Sequence, residues 1–278
     1  MDLKTVQDPA RARYWFDSHC HLDPLTSLDA AQFAKENSVL GMVVVGTDSL
    51  SSTSVIEVAN RVSHSVPGIV AFSSIGVHPH EAADPLKGDL ASLEAVLATR
   101  PEGLVGLGEC GLDYYYEFSP RLAQIESFAK QIELAKEYDL TLVIHTRDAW
   151  DDAFSVLDEA GWPNRVVFHC FVGGIAEARR VLDKGSYISI SGIVTFKNSA
   201  EVKEVAAFVP TERILIETDS PYLAPVPHRG KPNTPGYVSF VGKEVAKLRN
   251  CDASHLQRAI WENTLRAFNA EHAANTLS

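Results

Sequence analysis

Residues 14–23 read Tyr-Trp-Phe-Asp-Ser-His-Cys-His-Leu-Asp. The aromatic start favours a strand, and the run turns polar only toward its carboxyl end. Successive side chains of an extended chain point to opposite faces, so His19 and His21 face one way and Cys20 the other. A lone His-x-His says little. An apolar strand that closes on one is worth more if the same pattern recurs along the chain.

It does recur. Runs rich in Val, Ile and Leu occupy 41–47, 69–77, 103–108, 140–145, 165–169, 187–191 and 213–219. They are apolar nearly throughout instead of alternating with polar residues, as strands covered on both faces should be. Helical patterns fall between them at 28–37, 52–62, 90–99, 119–138, 149–160, 175–184 and 200–208. Ser119-Pro120 reads as an N-cap with proline in the first turn, and Gly161 and Gly185 stand just past helix ends. Eight strands alternating with helices predict an α/β fold, a (β/α)8 TIM barrel, as a single domain over 14–278. An open doubly wound sheet shares the alternation, but no Gly-x-Gly-x-x-Gly opens a helix here. Residues 1–13 form a polar N-terminal extension with no assigned role. The proline-rich stretch 221–235 follows the last strand and reads as an active-site loop.

In such a barrel the carboxyl ends of all strands meet on one rim. The first run ends in His19-Cys-His21, the fourth in Gly108-Glu109, and the fifth in Ile144-His145. The sixth ends in Phe168-His169 and the eighth in Glu217-Thr-Asp219. Imidazoles and carboxylates from distant parts of the chain therefore share one mouth. Burying them together is costly unless positive charge compensates, and a divalent cation or a pair of them is the simplest compensation. The competing reading for any single histidine is a core residue satisfied by backbone partners.

Composition sets the outer bounds. The 278 residues carry 25 Lys plus Arg against 36 Asp plus Glu, a formal charge of -11. A general basic surface for nucleic acid is excluded, so any such partner must be held locally. No apolar stretch suits a membrane span or a signal peptide, which leaves no membrane role and a cytoplasmic expectation. The four cysteines, Cys20, Cys110, Cys170 and Cys251, are too few and too scattered for a disulfide framework. Cys20, Cys110 and Cys170 each adjoin a candidate ligand. Strand alternation turns them away from the metal side and makes them small buried hydrophobes.

The blocks Asp17-Ser-His-Cys-His-Leu-Asp23, Gly76-Val-His-Pro-His80, Gly108-Glu-Cys-Gly-Leu-Asp-Tyr114, His145-Thr-Arg-Asp-Ala149, His169-Cys-Phe-Val-Gly173 and Ser191-Gly192 follow one another in the chain. Glu217-Thr-Asp-Ser-Pro-Tyr-Leu-Ala-Pro225 and Arg229-Gly-Lys-Pro-Asn233 complete the series. Together these resemble the TatD family of metal-dependent deoxyribonucleases over roughly residues 16–268. The resemblance implies hydrolysis of DNA phosphodiester bonds with two divalent metals. It implies His19, His21, Glu109, His145, His169 and Asp219 as ligands, with Glu109 bridging. His19, His21 and Asp219 would surround one metal, and His145 and His169 the other. Related barrels bridge their metals with a carbamylated lysine at the end of the fourth strand, whereas residues 103–111 contain no lysine.

Nitrogen and oxygen ligands without thiolate suit Mg²⁺ or Mn²⁺, and an imidazole-rich site also takes Zn²⁺. Asp219 is the candidate to orient the attacking water and take its proton, with Glu109 as the second catalytic carboxylate. Glu217 either fixes a ligand or an arginine by hydrogen bonding, or forms a salt bridge beneath the rim. His78, Arg229 and Arg147 are candidate substrate contacts, with Lys231 beside Arg229. For Arg147, pairing with Asp148 or Glu217 competes with that role. Tyr114, Tyr115 and Tyr116 offer either a stacking platform or plain loop packing. The expected substrate is DNA, single-stranded or at its ends, attacked exonucleolytically, because an acidic rim cannot grip many duplex phosphates. No obligate protein partner is expected. The alternative is a metal-dependent hydrolase of small phosphoesters, amides or lactones.

Overall fold

All eight expected strands form, and they pair in chain order. In the computed structural model, which describes residues 13–271, β1 (Trp15–Cys20), β2 (Val39–Val45), β3 (Val70–Ile75) and β4 (Leu104–Asp113) precede β5 (Thr141–Arg147), β6 (Val166–Phe168), β7 (Tyr187–Ile190) and β8 (Ile214–Ile216). Each strand is parallel to the one before it, in a single eight-stranded sheet. The extension at 1–13 lies outside the described residues except for Arg13. Every residue of β1, β2 and β3 is buried, which is why those runs carry no polar alternation.

The barrel closes at its carboxyl rim, just beyond β8. There the Asp219 amide donates to the His19 carbonyl (3.0 Å) and the His21 amide to that of Ser220 (2.8 Å). Asp17 locks the same seam. Its carboxylate accepts from the Thr218 amide at 2.9 Å and from the Thr218 hydroxyl at 2.5 Å. Residues that end the first and last strands are thereby held side by side.

Helices α1 (Ser27–Glu36), α2 (Ser52–Ser65), α3 (Leu90–Ala98), α4 (Arg121–Glu137), α5 (Trp150–Ala160), α6 (Ile175–Asp183) and α7 (Ala200–Phe208) stand where the helical patterns predict them. Gly161 and Gly185 follow helix ends with φ of 82° and 73°, conformations glycine reaches without steric cost. The start of α4 differs from expectation. Pro120 occupies the N-cap, and the Ser119 hydroxyl instead donates to the His80 carbonyl and accepts from the Ala83 amide. Its work is to tie down the loop after β3.

Two helices lie beyond the patterns recognised in the sequence, α8 (Val238–Leu248) and α9 (Ala253–Ala267). A side chain at Gly242 would strike the Trp15 ring, so α8 meets β1 through that glycine. Trp261 of α9 packs on Phe16, with ring centroids 5.1 Å apart. The Asn263 amide donates to the Ile214 carbonyl, and the Thr141 hydroxyl donates to that of Ala267. Thus α9 touches the first residues of β5 and β8, covering the amino end of the barrel and leaving the carboxyl end open. Among the described residues no helix is long and apolar enough to cross a membrane.

Candidate metal centre

Glu109 is the centre of the rim. It lies within β4, which continues four residues past it to Asp113 instead of ending at the glutamate. The pairing slips between Leu107 and Cys110, and Gly108 and Gly111 have φ of 140° and 129°. A side chain at either would collide with the β5 backbone. Glycine therefore lets the strand bulge and then pair again, and the bulge carries Glu109 into the mouth.

The two carboxylate oxygens of Glu109 serve different sets of imidazoles. Oε2 lies 3.4 Å from His19 Nε2 and 3.6 Å from His21 Nε2. Oε1 lies 2.7 Å from His169 Nε2, 3.1 Å from His145 Nδ1 and 3.4 Å from His78 Nε2. Asp219 Oδ1 completes the first set, 3.4 Å from His21 Nε2 and 3.8 Å from His19 Nε2. The two histidine nitrogens of that set are 3.4 Å apart. Spacings near 3.5 Å are those of donors arranged around an ion at roughly 2.1 Å. The donor set therefore fits a divalent cation. His145 Nδ1 and His169 Nε2, 3.2 Å apart, flank the other oxygen.

Acceptors behind the rings orient three of these histidines. His21 Nδ1 faces the Val45 carbonyl at 2.8 Å, so Nδ1 carries the proton and Nε2 turns a lone pair inward. His145 Nε2 faces Asp113 Oδ2 at 3.1 Å. His169 Nδ1 faces Glu217 Oε1 at 3.4 Å, and the same oxygen accepts from the Cys170 amide at 2.6 Å. Glu217 thus buttresses a histidine, and among the described residues it makes no salt bridge to an arginine. His78 is built the other way round. Its Nδ1 accepts from the His80 amide at 3.1 Å, so the neutral ring carries its proton on Nε2 and presents a donor to Glu109.

Burial disfavours charge throughout the cluster, yet Glu109 is held well below the usual carboxylate range by His169 and His78 beside it and by hydrogen bonds from His145 and His169. The partners move oppositely. Burial lowers His169, but Glu109 and Glu217 overcome it and raise the ring well above its ordinary value. His21 and His145 are raised against burial by their carboxylate partners, Asp219 and Asp113 first. Burial dominates at His19, which is lowered, and at His78, which falls to about 4. The carboxylates thus raise the imidazoles they touch most closely, and burial lowers the two at which it outweighs them.

Three residues outside the expected site support it. Asp113 Oδ2 also lies 3.0 Å from His80 Nε2, and its Oδ1 accepts from the amides of Tyr115 and Tyr116. Gln124 and Gln131, buried on α4, grip backbone. Gln131 accepts from the Val77 amide and donates to the Val77 carbonyl, and Gln124 does the same at Asp113. One helix thus fixes both the His78 loop and the far end of β4. Two glutamines seven residues apart on an otherwise buried helix stripe were the only sequence signal for this.

Cys20 and Cys110 are buried and point at backbone carbonyls of neighbouring strands. Cys170 breaks the expectation: it is half-buried and lines the cavity over Glu109. Strand β6 ends at Phe168 and Cys170 has φ 42°, so strand alternation no longer applies there. Arg147 lies over the rings of Tyr115 and Tyr116, 3.8 and 4.8 Å from their centroids, and pairs with neither Asp148 nor Glu217. Tyr115 and Tyr116 line the cavity, whereas Tyr114 turns aside to donate to Asp152. Arg229 lines a neighbouring cavity, stacked on Phe196.

A parallel barrel whose open rim gathers imidazoles around a central glutamate belongs to the class of barrel metal-dependent hydrolases. The comparisons make this specific: the family model described as TatD related DNase matches residues 16–269, and the chain belongs to that family. It is 38% identical to the uncharacterized metal-dependent hydrolase YabD of Bacillus subtilis, over 91% of this chain and 98% of that one. It is 37% identical to the uncharacterized metal-dependent hydrolase YcfH of Escherichia coli, covering 92% and 96%. Among solved structures, YjjV, a TatD homolog from Escherichia coli, superposes with a TM-score of 0.84 at 27% identity, over 93% of this chain and 99% of that one.

Proposed function

We propose that the protein is a deoxyribonuclease that hydrolyses phosphodiester bonds of single-stranded DNA, from an end, with two divalent cations. The observation that carries this is the division of Glu109, one oxygen toward His19 and His21 and the other toward His145 and His169. A carboxylate so shared supports a bridging role, with Asp219 joining the first pair. When bound, the cations, Mg²⁺ or Mn²⁺ with Zn²⁺ as the imidazole-favoured third, supply an acidified water and neutralise the phosphate and departing oxygen.

The remaining steps fall to the chain. The Asp219 side chain is 14% exposed against 5% for Glu109, so Asp219 can orient the attacking water and accept its proton. His78, with its one proton on Nε2, turns that donor from Glu109 to a phosphate oxygen when substrate is bound. Glu217 keeps the His169 ring turned inward. Arg147, stacked on Tyr115 and Tyr116 and paired with no carboxylate among the described residues, and Arg229 in the neighbouring cavity, take flanking phosphates.

The test is digestion of an end-labelled single-stranded oligodeoxynucleotide by purified protein with Mg²⁺ or Mn²⁺, alongside small phosphoesters, amides and lactones. Stepwise release of nucleotides, abolished by chelator and by Glu109→Gln, is the expected result. Turnover of small esters or amides alone would replace the nuclease by the small-substrate hydrolase.

A further inference from the structure

Two cavities open on the carboxyl face of the barrel. The one over Glu109 has a volume of about 810 Å³, and a second of about 770 Å³ adjoins it. Val172 and Ile193 line both, so two apolar side chains, and no charged group, stand where the cavities meet. Val172 follows His169 by three residues, and Ile193 sits in the short 3-10 turn Gly192–Thr195 after β7. The second cavity therefore begins at the edge of the metal centre.

Its lining differs from the first. Lys197 and Arg229 are its cations and Glu201 its one carboxylate, a positive balance in a chain of formal charge -11. The Arg229 guanidinium lies 3.7 Å from the Phe196 ring centroid. Among the described residues neither Arg229 nor Lys197 pairs with a carboxylate. Val226, 48% exposed, adds apolar surface. Cations without anionic partners beside an aromatic ring and an aliphatic wall match one repeat of a single strand, a phosphate with its base.

We propose that this second cavity is a nucleotide subsite. It would hold the residue of single-stranded DNA next to the scissile phosphate, with the base against Phe196 and Val226 and the phosphate against Lys197 and Arg229. This rests on the nuclease reading and deepens it. A small phosphoester over Glu109 leaves the second cavity empty, so the subsite makes the enzyme prefer a polymer. The inner edge at Val172 and Ile193 admits a base and sugar by contact alone, without sequence readout.

The test compares Phe196→Ala and Lys197→Ala with wild type in Mn²⁺, on a short single-stranded oligodeoxynucleotide and on bis(p-nitrophenyl) phosphate. Each variant should raise KM for the oligonucleotide about tenfold with little change in kcat, and leave turnover of the small diester intact. Phe196→Tyr, which keeps a stacking ring, should restore the oligonucleotide KM. Lys197 is exposed and its removal does not endanger folding. Unchanged oligonucleotide KM in both variants, or an equal loss on both substrates, overturns the subsite and leaves the nuclease standing. Wild type that cleaves the small diester but no oligonucleotide overturns both.

Discussion

Asp113 Oδ2 stands 3.1 Å from His145 Nε2, so a carboxylate four residues beyond Glu109 steers a histidine of the candidate centre. Hydrogen bonds from His145 and His80 hold Asp113 below the usual carboxylate range against the effect of burial. In Asp113→Asn the amide oxygen can still accept from Tyr115 and Tyr116, so the loop should keep its shape. The charge behind His145 is lost, and metal affinity should fall by about 10- to 100-fold. Metal titration with circular dichroism on the same samples checks this; unaltered affinity would remove Asp113 from the site.

Asp219 separates chemistry from architecture. Its amide closes the barrel seam on the His19 carbonyl, a contact that Asp219→Asn retains. The variant replaces the more exposed of the two carboxylates beside His21, 14% against 5% for Glu109. Its kcat on oligonucleotide should drop by about 10²- to 10⁴-fold, with thermal stability near that of wild type. Retention of full activity would exclude Asp219 as proton acceptor.

The strands and the first seven helices were legible because a barrel writes its periodicity locally: buried parallel strands are apolar runs, and His19, Glu109, His145, His169 and Asp219 lie toward the carboxyl side of theirs. What escaped depends on contacts made across the fold. In sequence a bulge at Gly108 and Gly111 looks like a loop, so the apolar run ends β4 near Glu109. Asp113 therefore had no strand to stand on. Strand alternation sends Cys170 to the core, but the strand stops at Phe168. The helix α8 carries Gly242 in its middle, a breaker in isolation and a necessity against Trp15. Glu217 was read ambiguously, and only its place behind His169 distinguishes support from salt bridge.

Gln131 gives a stability prediction. Its amide satisfies both the Val77 N–H (2.8 Å) and the Val77 C=O (2.9 Å), all of them buried. Gln131→Leu keeps bulk but leaves both backbone groups without a partner, at a cost of about 2–4 kcal/mol. Chemical denaturation should show that loss. Activity should fall as well, because Val77 precedes His78. A loss below about 0.5 kcal/mol would mean that water replaces the side chain.

Metal binding itself should depend on pH, in a direction set by the imidazoles. His169, His145 and His21 are all raised by neighbouring carboxylates, so without metal they hold protons at a pH where an ordinary histidine has begun to lose them. A cation binds only the neutral ring, and each proton displaced costs affinity as the pH falls through the raised value. Affinity for Mn²⁺ should therefore be weaker near pH 6 than near pH 8, by about tenfold per pH unit for each proton released. Calorimetry in buffers of different ionisation enthalpy counts those protons directly. Binding that releases none would show that these rings are already neutral before the cation arrives, against the direction their carboxylate neighbours impose.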